Sequence, residues 1–168
     1  MPLPIMAIFR QELWLPAPLE EVFGFFSKAE NLEAITPPWI QFRMETPSPI
    51  VMEEGRLIDY RLRVHGIPLR WRSLIEVWEP PFRFVDRQLK GPYRKWVHEH
   101  RFTEKDGGTL AEDHVTYEVP GGWLVDRLFV RRDIERIFQH RSESLRRRFD
   151  HPAPATVSAG KEDLAAAR

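Results

Sequence analysis

Residues 82–119 read FRFVDRQLKGPYRKWVHEHRFTEKDGGTLAEDHVTYEV and contain the most informative pattern in the chain. Three stretches alternate apolar and polar side chains with a period of two, which is typical of β-strands with one buried face. The buried faces also carry carboxylates and imidazoles, which are unfavourable there unless they meet partners or a ligand. The pattern therefore predicts the wall of a cavity. The predicted inward residues are Phe84, Asp86 and Gln88, then Trp96, His98, His100 and Phe102, and finally Ala111, Asp113, Val115, Tyr117 and Val119.

The turn at residues 105–108 sets the register of the second and third stretches. Its sequence, Lys-Asp-Gly-Gly, favours a tight hairpin connection. Counting outward from it pairs Glu104 with Thr109, Phe102 with Ala111, His100 with Asp113, His98 with Val115 and Trp96 with Tyr117. The outer face then pairs Arg101 with Glu112, which is a favourable cross-strand contact. Because both faces are satisfied at once, we expect the imidazole of His100 to meet the carboxylate of Asp113.

The hairpin before it allows two registers. A three-residue loop at residues 91–93 places Asp86 opposite His98, whereas a two-residue loop turns the neighbouring residues inward instead. We favour the first register because it keeps Phe82 and Phe84 on the buried side.

The composition excludes several classes of function. The chain has 168 residues, a formal net charge of zero and no cysteine. One domain is expected at this length, with no disulfide, thiolate metal ligand or cysteine nucleophile. Basic residues near the C-terminus alternate with acids and predict a solvated helix face, so we expect no nucleic-acid binding. Apolar runs are too short for a membrane span, and no signal peptide is apparent. We expect a cytoplasmic monomer or homodimer without stable membrane insertion.

The remaining elements follow from periodicity and from Pro and Gly. Strands are expected at residues 5–15, 40–45, 56–64 and 69–78, with helices at residues 19–26, 31–35 and 123–149. The last helix contains no Gly or Pro and places Leu124, Leu128, Ile134, Phe138 and Arg141 on one face. Since it is the longest helix, it is expected to cover the sheet. Residues 151–168 are rich in Ala and Pro and lack aromatics, which predicts a flexible tail.

Several motifs resemble those of the SRPBCC or START-like (helix-grip, Bet v 1-like) superfamily, and especially its small bacterial ligand-binding branch. They are PAPLEEVF at residues 16–23, EPP at 79–81, FVD at 84–86, GPY at 91–93, WVHEHRF at 96–102 and DHVTYEVP at 113–120. The resemblance implies an α+β helix-grip fold over residues 1–150. In that fold a curved seven-stranded antiparallel sheet wraps around a long C-terminal helix, and two short helices follow the first strand. The superfamily includes polyketide cyclases, plant pathogenesis-related proteins and lipid-transfer domains, so activity must be argued from the site.

The polar cluster of His98, His100, Asp113 and Asp86 is open to more than one interpretation. It can be an internal hydrogen-bonded network, a set of ligand contacts, or an acid–base site in which Asp113 orients an imidazole. A His-x-His strand with a carboxylate can also bind Zn or Fe. No further ligand is evident in the sequence, so we expect no metal and no cofactor.

Arg141 is the charged residue on the buried stripe of the last helix. It either extends its guanidinium to solvent past the edge of the core or points at a carboxylate of the protein or of a ligand.

We predict binding of a mostly apolar small molecule or lipid with a polar or acidic group. The alternative is a polyketide cyclase-like or dehydratase-like enzyme that uses His98 or His100 with Asp113. The expected ligand contacts are Trp71, Phe84, Asp86, Gln88, Trp96, His98, His100, Phe102, Asp113, Tyr117 and Arg141.

Overall fold

The computed structural model describes residues 6–150. The strands are β1 (Ala7–Leu15), β2 (Arg43–Met44), β3 (Leu57–Val64), β4 (Ile67–Glu79), β5 (Arg83–Lys90), β6 (Lys95–Lys105) and β7 (Gly108–Glu118). The helices are α1 (Leu19–Phe26), α2 (Asn31–Ile35), α3 (Gly122–Val125) and α4 (Arg131–Phe149), with a π-helical turn at Asp126–Val130 and a 3-10 turn at Pro38–Ile40. The predicted tail, residues 151–168, lies outside the described residues.

The seven strands form one antiparallel sheet in the order β1-β7-β6-β5-β4-β3-β2. The sheet is curved and wraps around the long C-terminal helix, so the predicted helix-grip fold is confirmed. The two short helices follow the first strand, as expected. No helix in the described part of the chain is long and apolar enough to cross a membrane.

The predicted register of β6 and β7 is confirmed along the whole hairpin, including His100 opposite Asp113. In the preceding hairpin Asp86 lies opposite His98, as the favoured register requires. Residues 91–94 connect those strands, one residue more than expected. Phe82 is 60% exposed, so its predicted burial is wrong. It precedes the first residue of β5, and strand alternation does not apply to it.

The last helix is not continuous over residues 123–149. A π-helical turn separates α3 from α4, and Leu124 and Leu128 are 51% and 50% exposed. Their predicted burial is wrong because a π turn contains more residues per turn than an α-helix and shifts the apolar stripe around the axis. The buried stripe begins at Ile134 and continues through Phe138.

Two apolar clusters pack within the space enclosed by the sheet. One includes Trp71, Trp96 and Phe138, and the other includes Phe84 and Phe102 beneath α1. The two buried imidazoles lie where these clusters meet. The ring of His98 is 5.5 Å from that of Phe138, and the ring of His100 stacks on Phe84 with centroids 4.1 Å apart. The fold therefore places the polar cluster in the interior, between two aromatic walls.

Candidate functional site

A cavity of about 210 Å³ lies between the sheet and α4. Its walls are mostly aromatic and aliphatic, with contributions from Phe42 and Ile58 near the sheet edge, Trp71 on β4, and Ile134 and Phe138 on α4. An apolar cavity with few polar groups is the usual form of a small-molecule site. The arrangement can hold a molecule that is largely hydrocarbon or aromatic.

The polar part of the wall is concentrated in one place. Asp86 from β5, His98 and His100 from β6 and Arg141 from α4 all line the cavity. Alternation along β6 points both imidazoles to the same side of the sheet, and the β5–β6 register brings Asp86 beside them. Within the described residues Asp113 is not part of the lining, although it contacts both imidazoles.

The hydrogen bonds of this cluster run diagonally across the strands. His98 Nε2 and Asp113 Oδ1 are 2.7 Å apart, and His100 Nε2 and Asp86 Oδ2 are 3.2 Å apart. His100 Nδ1 lies 3.2 Å from Asp113 Oδ1 but at an angle that leaves it without a hydrogen bond. The expected bond between His100 and Asp113 is therefore replaced by one between His98 and Asp113. An imidazole extends far enough from its backbone to reach a diagonal neighbour on the next strand.

The surroundings of the two imidazoles shift their pKa values in opposite directions. Burial and the neighbouring His100 lower the pKa of His98, despite the attraction of both carboxylates. Burial also acts to lower the pKa of His100, but Asp113 and Asp86 outweigh it and the pKa is raised. The carboxyls themselves have a lowered pKa, because the imidazoles outweigh the effect of burial on each. The two imidazoles therefore differ in the direction of their pKa shift although they lie in one cluster.

Arg141 brings a cation to the cavity wall. Its guanidinium carbon lies 5.1 Å from the ring centroid of Phe138. It forms no hydrogen bond or ion pair with the other residues that the structure describes, so the predicted partnership with Asp86 or Asp113 is not seen as a direct contact. Its charge still helps to lower the pKa of Asp86. The guanidinium donors are thus available to a molecule inside the cavity.

The structure brings together most, but not all, of the residues that the sequence suggested. Those that line the cavity are Trp71, Phe84, Asp86, Trp96, His98, His100 and Arg141. Gln88 instead makes two hydrogen bonds with the backbone of Tyr93, at 2.7 and 3.3 Å. Phe102 packs in the cluster beneath α1, and the hydroxyl of Tyr117 donates to Asp126 at 2.9 Å. None of these three lines the cavity within the described part of the chain.

The cavity wall contains a further small polar group, on β3 and β4, that was not predicted from the sequence. Tyr60 on β3 stacks on Trp71, with ring centroids 5.9 Å apart, and the indole N–H of Trp71 donates to Ser73 Oγ at 3.0 Å. The hydroxyl of Tyr60 lies 3.4 Å from the same oxygen, and burial raises its pKa. Alternation on β4 puts Ser73 on the same face as Trp71, but β3 offers no comparable signal for Tyr60 until its register is known.

Comparison with protein families finds one match over nearly the whole described chain. Residues 15–146 match the family described as "Polyketide cyclase / dehydrase and lipid transport". A comparison with curated proteins finds no match.

Solved structures with the same fold come from bacteria and plants. The Zhui aromatase/cyclase from a Streptomyces species has a TM-score of 0.69 at 15% identity, covering 87% of this chain and 94% of that one. A protein from Chromobacterium violaceum has a TM-score of 0.67 at 12% identity, covering 86% and 97%. A major latex-like protein from Panax ginseng has a TM-score of 0.64 at 10% identity, also covering 86% and 97%. At these identities the likeness establishes the fold alone.

Proposed function

This chain belongs to the polyketide cyclase/dehydrase and lipid transport family, and on that premise we propose that it binds a mostly apolar small molecule carrying one acidic group. The ligand would occupy the cavity between the sheet and α4. The observation that carries the proposal is Arg141, a cation that has no ion pair among residues 6–150 and lies in the wall of a mostly aromatic and aliphatic cavity.

The chemistry of Arg141 favours an acid over other polar groups. A guanidinium offers a rigid set of donors that matches a carboxylate with two parallel hydrogen bonds. Such a bond is stronger in a cavity that excludes water than at the surface. The aromatic and aliphatic walls would hold the apolar part of the ligand, so the acid group fixes its orientation and the walls provide most of the affinity.

A comparison of ligands that differ only in charge tests the proposal. Fatty acids of increasing chain length and the matching alcohols are titrated, with native mass spectrometry and thermal unfolding as readouts. The acids should bind more tightly, and Arg141→Gln should weaken acid binding by about 10- to 100-fold, the loss of a charged hydrogen bond, while leaving alcohol binding unchanged.

Arg132→Gln is the matched control because Arg132 is an exposed arginine on the same helix and does not line the cavity. It should bind acids like the wild type. If Arg141→Gln and the wild type prefer acids equally, the assignment of Arg141 is wrong. If no acid or alcohol binds at all, binding of an apolar acid is wrong.

A second candidate is an enzyme resembling polyketide cyclases or dehydratases. The observation in its favour is that His98 and His100 line the same cavity and differ in proton affinity, one with a lowered and one with a raised pKa. Neighbouring acid and base groups of this kind can move a proton within a bound polyketide. In this role Asp113 would orient His98, to which it is hydrogen-bonded.

Turnover of a linear polyketide precursor distinguishes the two candidates. An enzyme should lose activity in His98→Gln and keep it in His114→Gln, since His114 lies on the opposite face of the same hairpin. Unchanged turnover in His98→Gln and His100→Gln would contradict catalysis at this cluster.

A further inference from the structure

We infer that Asp86, His98 and His100 form a binding site for one divalent transition-metal ion, such as Zn²⁺ or Fe²⁺, at the wall of the cavity. Two imidazoles and one carboxylate are the ligand set that proteins use for such ions when coordination positions are to remain open. The inference rests on the geometry of the cluster and does not require the proposed ligand-binding function.

The ligand atoms already stand at nearly the spacing that a metal requires. Asp86 Oδ2 is 3.2 Å from His100 Nε2 and 3.6 Å from His98 Nδ1. One ligand atom from each of the three residues lies within 4.8 Å of the other two. Ligands bound at about 2.0–2.1 Å in a tetrahedral arrangement are roughly 3.4 Å apart. A metal ion can therefore enter between these atoms with small side-chain adjustments.

Asp113 supplies the outer contacts that metal-binding histidines generally have. Its Oδ1 lies 2.7 Å from His98 Nε2 and 3.2 Å from His100 Nδ1, and these are the nitrogens that face away from Asp86. A ring N–H held by a carboxylate fixes the tautomer and strengthens the other nitrogen as a ligand. The cluster thus has three inner groups and one carboxylate behind both imidazoles.

This arrangement also explains a buried atom that has no hydrogen-bond partner. His100 Nδ1 is buried and unsatisfied while Nε2 of the same ring faces Asp86. A metal ion on Nε2 places the ring proton on Nδ1, and Asp113 Oδ1 is the acceptor already within 3.2 Å. A small rotation of the ring then satisfies both nitrogens.

Charge and access are consistent with a metal of this class. Asp86 and Asp113 bring two carboxylates to two imidazoles in an interior site, and a divalent cation balances two negative charges. The three inner residues line the cavity. The coordination positions that they leave open therefore face the cavity, where water or an oxygen atom of a bound molecule can occupy them.

Titration of metal-depleted wild-type protein with Co²⁺ tests the site without any organic ligand. We expect one Co²⁺ per chain with visible absorption bands, displaced by Zn²⁺. In NMR spectra the diamagnetic Zn²⁺ should shift the imidazole signals of His98 and His100, and should leave those of His65, His114 and His140 in place. A titration that does not end at one Co²⁺ per chain would overturn the inference. So would NMR shifts confined to His65, His114 and His140.

Variants assign the ligands individually. His98→Gln, His100→Gln and Asp86→Asn should weaken Co²⁺ binding more than Asp113→Asn, for which we expect the ~10–100-fold loss typical of an outer contact. His114→Gln should bind like the wild type because His114 lies on the other face of the hairpin. Equal Co²⁺ affinity in His98→Gln, His100→Gln, Asp86→Asn and the wild type would disprove the site. Should an inner variant fail to fold, the wild-type NMR result decides alone.

Discussion

Asp113 lies opposite His100 across the β6–β7 ladder but is hydrogen-bonded to His98, at 2.7 Å. Asp86 has the converse relationship, since it lies opposite His98 and is hydrogen-bonded to His100, at 3.2 Å. The four side chains from three strands therefore form one crossed network. Each carboxylate contacts both imidazoles. Asp113 lies 2.7 Å from His98 and 3.2 Å from His100, and Asp86 lies 3.2 Å from His100 and 3.6 Å from His98.

A network that acts as a unit should give a non-additive double-mutant cycle. With chelator present, Asp113→Leu should lower the free energy of unfolding by about 1–3 kcal/mol, because His98 is left buried without its partner. The double variant with His98→Leu should lose less than the sum of the single changes. Urea unfolding provides the measurement. Glu112→Gln, on the outer face of β7, is the control and should change stability by less than about 0.5 kcal/mol. Strictly additive losses would mean that the two residues are not coupled.

Gln88 should hold the loop at residues 91–94 in a single conformation. Its side-chain amide donates a hydrogen bond to the carbonyl oxygen of Tyr93 and accepts one from the N–H of Tyr93. Tyr93 in turn lines the cavity and packs against Trp96, with ring centroids 4.7 Å apart. Gln88→Ala removes both bonds, and we expect faster hydrogen exchange at the Tyr93 amide and a loss of about 1 kcal/mol in stability. An unchanged exchange rate would contradict this role.

The sequence predicted what depends on backbone register but not what depends on side-chain direction. The Asp-Gly-Gly turn determines which residues of β6 and β7 are opposite, so the pairing of His100 with Asp113 could be read directly. Which imidazole the carboxylate then bonds depends on rotamers set by the packing of Phe84 against His100 and of Phe138 against His98. Those contacts join distant segments and leave no periodic signal.

The same distinction applies to Arg141 and to Leu124. Helical spacing correctly placed Arg141 on the covered face of α4, because that helix is regular there. The burial of Leu124 was predicted wrongly because the π-helical turn at residues 126–130 changes the phase, and nothing in the local sequence reveals it. Likewise, Tyr60 could not be assigned to the cavity until β3 was paired with β4.

The pH dependence of stability should include a contribution from Glu30. Its carboxylate accepts hydrogen bonds from the Ile50 amide and the Ser48 hydroxyl, both at 3.0 Å, and joins the start of α2 to the segment before β3. Backbone hydrogen bonds, from its own N–H and from Ile50, lower its pKa below the ordinary value of 4.5. A lowered pKa in the folded state contributes stability that is present above pH 4.5 and is lost as the pH falls through the folded-state pKa.

Melting temperatures of the wild type and Glu30→Gln across this range measure the effect. The variant should melt lower at neutral pH, and the difference should shrink as the pH falls below 4.5. Glu33→Gln, an exposed glutamate on the same helix, is the control. A difference that stays constant with pH would show that the charge of Glu30 is not what holds the segment.

Filling the cavity should abolish ligand binding without unfolding the protein. Ala29 is buried and lines the cavity next to α2, so a larger side chain there occupies part of the cavity. Cavity-filling substitutions commonly stabilise a fold, and we expect Ala29→Leu to melt at or above the wild-type temperature. Fatty acids should then not raise the melting temperature of this variant further. Ala34→Leu adds the same atoms at an exposed position of α2 and should keep the ligand response. An Ala29→Leu protein that is folded and still responds to fatty acids would show that they bind elsewhere.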